Sequence, residues 1–212
     1  MTRALVAEAL GTLLLVTAVI GSAIMASAMT QDSGVQLLAN AIATGCALLT
    51  LITIFAPVSG AHFNPAVTLV MALRRKITPQ TALAYVAAQC LGGVAGTLLT
   101  HAMFDLPLLQ ASTHARHGSA QFLAEVVATF GLILTILSPR ATPTLIAAYI
   151  TAAYWFTAST SFANPVMDLA RALTDTPSGI APADAPAFLL AQIIGAALAA
   201  ALGGWLFRPP QP

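Results

Sequence analysis

The chain has 212 residues, of which 58% are hydrophobic and only 7% charged, and its formal net charge is +1. A soluble domain carries about 25% charged residues, so this chain has too little polar surface to face water all round, and lipid is its expected solvent. The near-neutral balance gives no electrostatic footprint for nucleic acid.

A membrane-spanning helix needs about 20 mostly apolar residues. The first such run covers about residues 4–29 and carries Glu8 near its start. Its uncharged stretch, 9–29, exceeds the ~7–15 residues of a signal-peptide core, so it is expected to stay in the membrane. A second span covers about 35–56, and a short apolar piece, 62–73, follows it. After Arg74, Arg75 and Lys76 comes a third span, about 80–104, containing Gln89 and a small-residue face at Gly92 and Gly96 suited to close helix packing. The polar loop that follows holds His114, Arg116 and His117 and reads as a solvated connection; a pH-sensitive gate is the sharper alternative. Spans at about 119–139, with Glu125, and 143–161 precede a second short piece, 162–173, and a last span, about 184–207, contains Gln192. Cys46 and Cys90 each sit in an apolar run and are expected to be small buried hydrophobes, not a disulfide. The four histidines show no zinc-like spacing, and nothing calls for a metal or cofactor.

Positive charge gathers on the cytoplasmic side of membrane proteins. With a cytoplasmic N-terminus, the inside segments hold Arg3, Arg74, Arg75, Lys76, Arg140 and Arg208, leaving only Arg116 and Arg171 outside. Asp32, Asp105, Asp168, Asp175 and Asp184 then all fall outside. Six spans with both termini inside fit that asymmetry.

The two halves, about 1–105 and 119–208, repeat within a single channel domain. Glu8 matches Glu125, Asn64-Pro65 matches Asn164-Pro165, and Gln89 matches Gln192, at offsets of 117, 100 and 103 residues. Each half has three spans, an odd number, so the second enters the bilayer from the opposite side as an inverted repeat, with its site near the midplane. The expected fold class is an all-α membrane protein of six transmembrane helices plus two re-entrant half-helices. Asn is a favoured helix N-cap and Pro a favoured first helical residue. Asn64 and Asn164 therefore each open a half-helix near the membrane centre. Two N-termini meeting there bring about half a positive charge each, a barrier to protons and metal cations that neutral molecules can pass.

These landmarks resemble the aquaporin and aquaglyceroporin family, the major intrinsic proteins. The run Gly60-Ala61-His62-Phe63-Asn64-Pro65-Ala66-Val67-Thr68 is similar to that family's first Asn-Pro-Ala loop, and the Glu, Asn-Pro and Gln landmarks follow in its order along nearly the whole chain. The resemblance implies a pore in each subunit of a homotetramer, a passive route for small neutral solutes through the lipid bilayer, no enzymatic activity and no nucleic-acid partner. It implies that Glu8 and Glu125 anchor backbone groups of the re-entrant loops, with Gln89 and Gln192 supplying further hydrogen bonds.

The second motif departs from the family pattern. Its sequence is Asn164-Pro165-Val166-Met167-Asp168-Leu169-Ala170-Arg171, with Val166 in place of Ala and Met167 where the family carries an arginine. Carried over by spacing, the selectivity constriction falls on Thr44, Ala152, Ser161 and Met167, a small-sided, uncharged ring. Tyr149, Tyr154, Trp155 and Phe156 lie near Ala152, and a register shift would place one of their rings in the pore. His62 is expected to support the inner vestibule. Arg171, one helical turn beyond Met167, either reaches the outer vestibule or pairs with Asp168 or Asp175. A ring without Arg or His is expected to admit glycerol-like polyols and metalloid hydroxides such as arsenite as well as water, and the altered motif resembles that of a bacterial subgroup associated with arsenic resistance. The Arg-rich composition and short loops suit a bacterial inner membrane. The alternatives are a secondary active transporter, which inverted repeats with broken helices also serve, and a channel mainly for water.

Overall fold

Four of the described helices start with a capping side chain followed by proline. Thr78 accepts a hydrogen bond from Thr81 N, and Thr142 from Leu145 N, ahead of Pro79 and Pro143. Asn64 and Asn164 do the same for Ala66 N and Val166 N, at 2.8 and 3.0 Å, ahead of Pro65 and Pro165. Each cap satisfies one of the orphan amides of a first turn, and the proline has none to satisfy.

A computed structural model describes residues 1–208 and contains eight helices among them: α1 (Thr2–Met29), α2 (Ser33–Ser59), α3 (Pro65–Leu73), α4 (Pro79–Met103), α5 (Ser119–Leu137), α6 (Pro143–Phe156), α7 (Pro165–Ala172) and α8 (Ala185–Leu206). Five of them, α1, α2, α4, α5 and α8, are long and apolar enough to cross a membrane. The span expected at about 143–161, fifth in chain order, is shorter than the sequence suggested. Its helix, α6, ends at Phe156 rather than near residue 161, because the chain turns extended at Thr157 and then takes positive φ at Thr160 and Ser161. Those residues form the approach to α7. At 1.5 Å per residue, α3 and α7, with 9 and 8 residues, reach about 14 and 12 Å, so each crosses less than half of a ~30 Å hydrocarbon core.

The halves pack alike. α1 packs against α4 and α5 against α8, while α3 and α7 each lie on both α4 and α8. Close approach depends on matching glycines: a side chain on Gly92 would run into the Ala9 carbonyl, and one on Gly195 into the Val126 carbonyl. The buried faces turn inward and leave large side chains such as Leu83, Leu91, Leu198 and Trp205 exposed, as a lipid solvent allows. Cys46 is exposed and Cys90 half-buried, contrary to the expectation that both are buried; both are free thiols.

Two buried carboxylates set the position of the half-helices. Glu8 is fully buried and accepts from His62 N (2.9 Å), Phe63 N (2.8 Å), Ser59 Oγ (2.6 Å) and Gln89 Nε2 (2.7 Å). Glu125, also fully buried, accepts from Phe162 N (2.9 Å), Ala163 N (2.8 Å) and Gln192 Nε2 (2.7 Å). The loops they hold share an unusual backbone: φ is positive at Ala61 and Phe63 in one, and at Ser161 and Ala163 in the other. Left-handed backbone costs an L-residue about 1–2 kcal/mol, and the hydrogen bonds each carboxylate accepts from these loops offset that cost. Replacing Glu125 with Ala orphans two buried backbone amides and one of the two N–H donors of Gln192, whose other donor stays with Asp168, at about 1–3 kcal/mol each. Glu125→Ala is therefore expected to lower thermal stability in detergent by about 3 kcal/mol or more and to remove solute flux; a melting curve matching the parent would refute the anchoring role.

Candidate functional site

Because α3 and α7 approach head to head, their capping asparagines touch the opposite half. Asn64 Nδ2 donates to Ala163 O at 2.7 Å, and Asn164 Nδ2 donates to Phe63 O at 2.9 Å. An amide nitrogen has two hydrogens, so each asparagine caps its own helix through Oδ1, ties the two loops together with one N–H and keeps a second donor. Both line a cavity of about 390 Å³. At one end the cavity is bordered by Gly60, His62 and Lys76, and at the other by Thr44, Tyr154, Ser161, Met167 and Arg171. The remaining wall is largely aliphatic, from residues such as Leu15, Val19, Ile52, Leu132 and Ile150. The passage is thus amphipathic, with polar groups set into apolar walls.

The structure divides the residues chosen from spacing. Thr44, Ser161 and Met167 all line the cavity, and the Ser161 hydroxyl has no protein partner. Ala152 does not: it is exposed on the outer side of α6, while Tyr154, two residues on, turns inward and bonds Thr44 Oγ1 through its hydroxyl at 3.1 Å. Two residues are about 200° around a helix, so spacing carried across the loop between α6 and Asn164 missed the register. At this part of the cavity wall a phenol, not a second small side chain, stands beside Thr44. His62 lines the proximal end, with Nδ1 3.0 Å from Thr68 Oγ1 and its ring edge-on to Tyr85.

Of the Asn-Pro motif residues, only the asparagines border the cavity. Ala66 packs in an apolar cluster with Val67, Ile133 and Ala196. Val166 turns toward α4, where a Cβ on Gly93 would lie 2.5 Å from its Cγ1. Position 93 and position 196 correspond by the offset of 103 that relates Gln89 to Gln192. The first half thus pairs Ala66 with Ala196, and the second pairs the larger Val166 with the smaller Gly93. This is a volume exchange across the repeat: the larger residue at 166 meets the smaller one at 93.

Arg171 is 2% exposed, so it is not a surface residue paired with an acid. Its Nε donates to the Ser178 carbonyl, and its guanidinium lies 3.4 Å above the centre of the Phe162 ring. Asp168 instead accepts from Gln192 Nε2 at 3.0 Å and is buried; the matching residue in the first half is Thr68, which accepts from Gln89 Nε2 at 2.9 Å. Arg116, which sequence alone placed in a solvated loop, folds back over the mouth: Nε donates to Gly179 O at 2.8 Å and Nη1 to Ser159 O at 3.3 Å. A charge between two polar histidines carries no sequence signal for that position. His114 and His117 stay in the loop, beside Asp175 and Asp184 at 3.4 and 3.7 Å. Hydrogen bonds from the Thr113 backbone and hydroxyl hold the Asp175 carboxyl below its usual range, with His114 adding to the effect. No group of three or more His, Cys, Asp or Glu among the described residues is arranged to hold a metal ion.

The volume exchange makes a quantitative prediction. Gly93→Ala alone is overpacked against Val166 and is expected to cost about 1–3 kcal/mol, and Val166→Ala alone about 1–2 kcal/mol from the void it leaves. The double variant is expected to cost clearly less than the two together, a coupling read from a melting-curve cycle. Strict additivity would mean the two side chains do not share that space.

A sequence profile described as major intrinsic protein matches residues 1–148. The chain is 56% identical over 217 aligned residues to the aquaglyceroporin AqpS of Rhizobium meliloti (strain 1021), covering 100% of this chain and 93% of that protein. It is 38% identical over 146 residues to aquaporin TIP2-1 of Arabidopsis thaliana, covering 66% of this chain and 58% of that one. In fold it is similar to the X-ray structure of the aquaglyceroporin from Plasmodium falciparum, with a TM-score of 0.74, 22% identity, and 97% and 95% of the two chains covered. The profile match over most of the chain and the full-length similarity to an aquaglyceroporin agree with the opposed half-helices: the chain belongs to the major intrinsic protein family, and it is a membrane channel of the aquaporin kind, not an enzyme.

Proposed function

We propose that this channel passes small uncharged polyhydroxy solutes, both glycerol-like polyols and undissociated metalloid hydroxides such as arsenite, together with water. The observation that carries the reading is Met167 on the cavity wall beside Thr44, Tyr154 and Ser161. At that position a thioether, flexible and uncharged, stands where the resemblance implies a fixed cation. A polyol has a hydroxyl-bearing side and a C–H side. The spare amide hydrogens of Asn64 and Asn164 and the Ser161 hydroxyl suit the first, and the aliphatic wall suits the second. Similarity to an aquaglyceroporin supports the same substrate class. Proton and metal-cation exclusion follows from the half-helix N-termini meeting at the asparagines.

In this reading Asn64, Pro65, Ala66, Asn164, Pro165 and Val166 form the midplane region, and Thr44, Tyr154, Ser161 and Met167 the constriction. His62 belongs to the inner vestibule and Arg171 to the outer one. The halves 1–105 and 119–208 make one channel domain. The protein assembles as a homotetramer of independent pores in a bacterial inner membrane with both termini cytoplasmic, an arrangement supported by the family resemblance, the bacterial relative and the concentration of Arg and Lys on one side.

Stopped-flow swelling of proteoliposomes in water, glycerol and arsenous acid tests the substrate class, with empty vesicles as the baseline. Fluxes of glycerol and arsenous acid above that baseline are expected without any proton gradient; fluxes equal to it would remove the reading, and a gradient requirement would favour a transporter. Met167→Arg is expected to cut glycerol and arsenite flux by about tenfold, a barrier rise of ~1.4 kcal/mol, while water flux changes by less than about twofold. Unchanged solute selectivity in that variant would show that residue 167 does not line the constriction.

A further inference from the structure

A second cavity, of about 150 Å³, lies at the α7 end of the pore. Ser33, Gln36, Asn40, Arg116, Thr160 and Arg171 are among its lining residues. Arg171 borders both this cavity and the pore, so the small cavity lies at the pore's entrance.

The two arginines are brought together by packing. The guanidinium of Arg171 lies 3.4 Å from the centre of the Phe162 ring and that of Arg116 lies 5.1 Å from the same centre. Cations favour an aromatic face, but two at one ring repel each other. Neither has a counterion: among the described residues, the ion pairs within reach are His114 with Asp175 and His117 with Asp184. The nearby carboxylates are committed elsewhere, Glu125 to the loop amides, Asp168 to Gln192, and Asp184 to the backbone amide of Arg116. A guanidinium has five N–H donors. Protein carbonyls take two on Arg116 and one on Arg171. Three donors on one and four on the other remain unpaired with protein, next to the hydroxyls of Ser33 and Thr160.

We propose that this cavity is a binding site for a small tetrahedral oxyanion such as inorganic phosphate, held between Arg116 and Arg171, and that its occupancy restricts entry of neutral solutes to the pore. Planar guanidinium forks match oxyanion edges with paired, charge-assisted hydrogen bonds, and the anion relieves the repulsion between the two cations. It does not travel further, because the largely aliphatic pore wall offers too few donors to replace its hydration. Solute flux then depends on the concentration of such an anion at this mouth, a control separate from the choice of solute made at the constriction.

Binding is measured first in detergent on the full-length channel, by calorimetric titration with inorganic phosphate at low ionic strength, where no flux is involved. Saturable binding at one site per chain is expected, weakened at least tenfold in R116Q and largely retained in R116K. Arg116 sits in a surface loop, so R116Q decides the matter even if the buried Arg171→Gln variant does not fold. In proteoliposomes of neutral lipid, saturating phosphate is expected to slow glycerol swelling at least twofold in the parent and to leave R116Q unaffected. Repeating the titration in vesicles containing phosphatidylglycerol separates a free anion from a lipid headgroup: unchanged phosphate affinity supports the free anion, and loss of binding to the competing headgroup overturns it. Absence of saturable binding, equal binding in R116Q, or glycerol swelling indifferent to phosphate would each overturn the proposal. Failure of glycerol flux in phosphate-free buffer would instead count against the solute reading above and leave this site standing.

Discussion

Everything in this fold depends on two carboxylates kept deep in an apolar bundle. Burying a carboxylate is costly unless its oxygens are satisfied, and Glu8 and Glu125 are satisfied by backbone amides that have no other partner. The loops thereby accept left-handed residues at matching positions, Ala61 with Phe63 and Ser161 with Ala163. That backbone aims Asn64 and Asn164 at each other and starts both half-helices in the bundle interior. Irregular backbone at membrane depth is tolerated only where it is buried in protein or lines a cavity, and here it does both.

The symmetry of the repeat is approximate, and its departures carry the specific chemistry. Thr68 and Asp168 occupy matching places beneath matching glutamines, one neutral and one acidic. Ala66 and Ala196 share one cluster while Val166 lies against Gly93, so the Ala-to-Val change in the second motif is a packing variation and not a change in the pore wall. Met167, its neighbour, does reach the wall. Adjacent helical residues point about 100° apart; one substitution is thus absorbed by the bundle and the next alters the cavity.

Charge is also redistributed. The arginine that Met167 replaces has a counterpart one turn along α7, where Arg171 is held against Phe162 by a carbonyl of the following loop. Arg116 joins it from a loop between α4 and α5. Two guanidiniums therefore border the small cavity at the entrance, while Met167 adds no charge to the wall of the larger one.

The sequence by itself determined the solvent, the helix count, the inverted repeat and the two asparagines that open the half-helices, because these follow from hydropathy, from capping chemistry and from residues whose spacing recurs at offsets of 117, 100 and 103. It also identified Thr44, Ser161 and Met167 as neighbours of the cavity. Only the tertiary structure decided the rest. α6 ends at Phe156 because the next residues belong to a loop held by Glu125, and that shift in register exposes Ala152 and brings in Tyr154. Cys46 lies on the outward side of its helix, which hydropathy cannot distinguish from the inward side when lipid is the solvent. The pairing of Val166 with Gly93 and the meeting of Arg116 and Arg171 over one ring join residues more than 50 positions apart. Such contacts are set by how helices pack and loops close, and periodicity within a single segment carries no record of them.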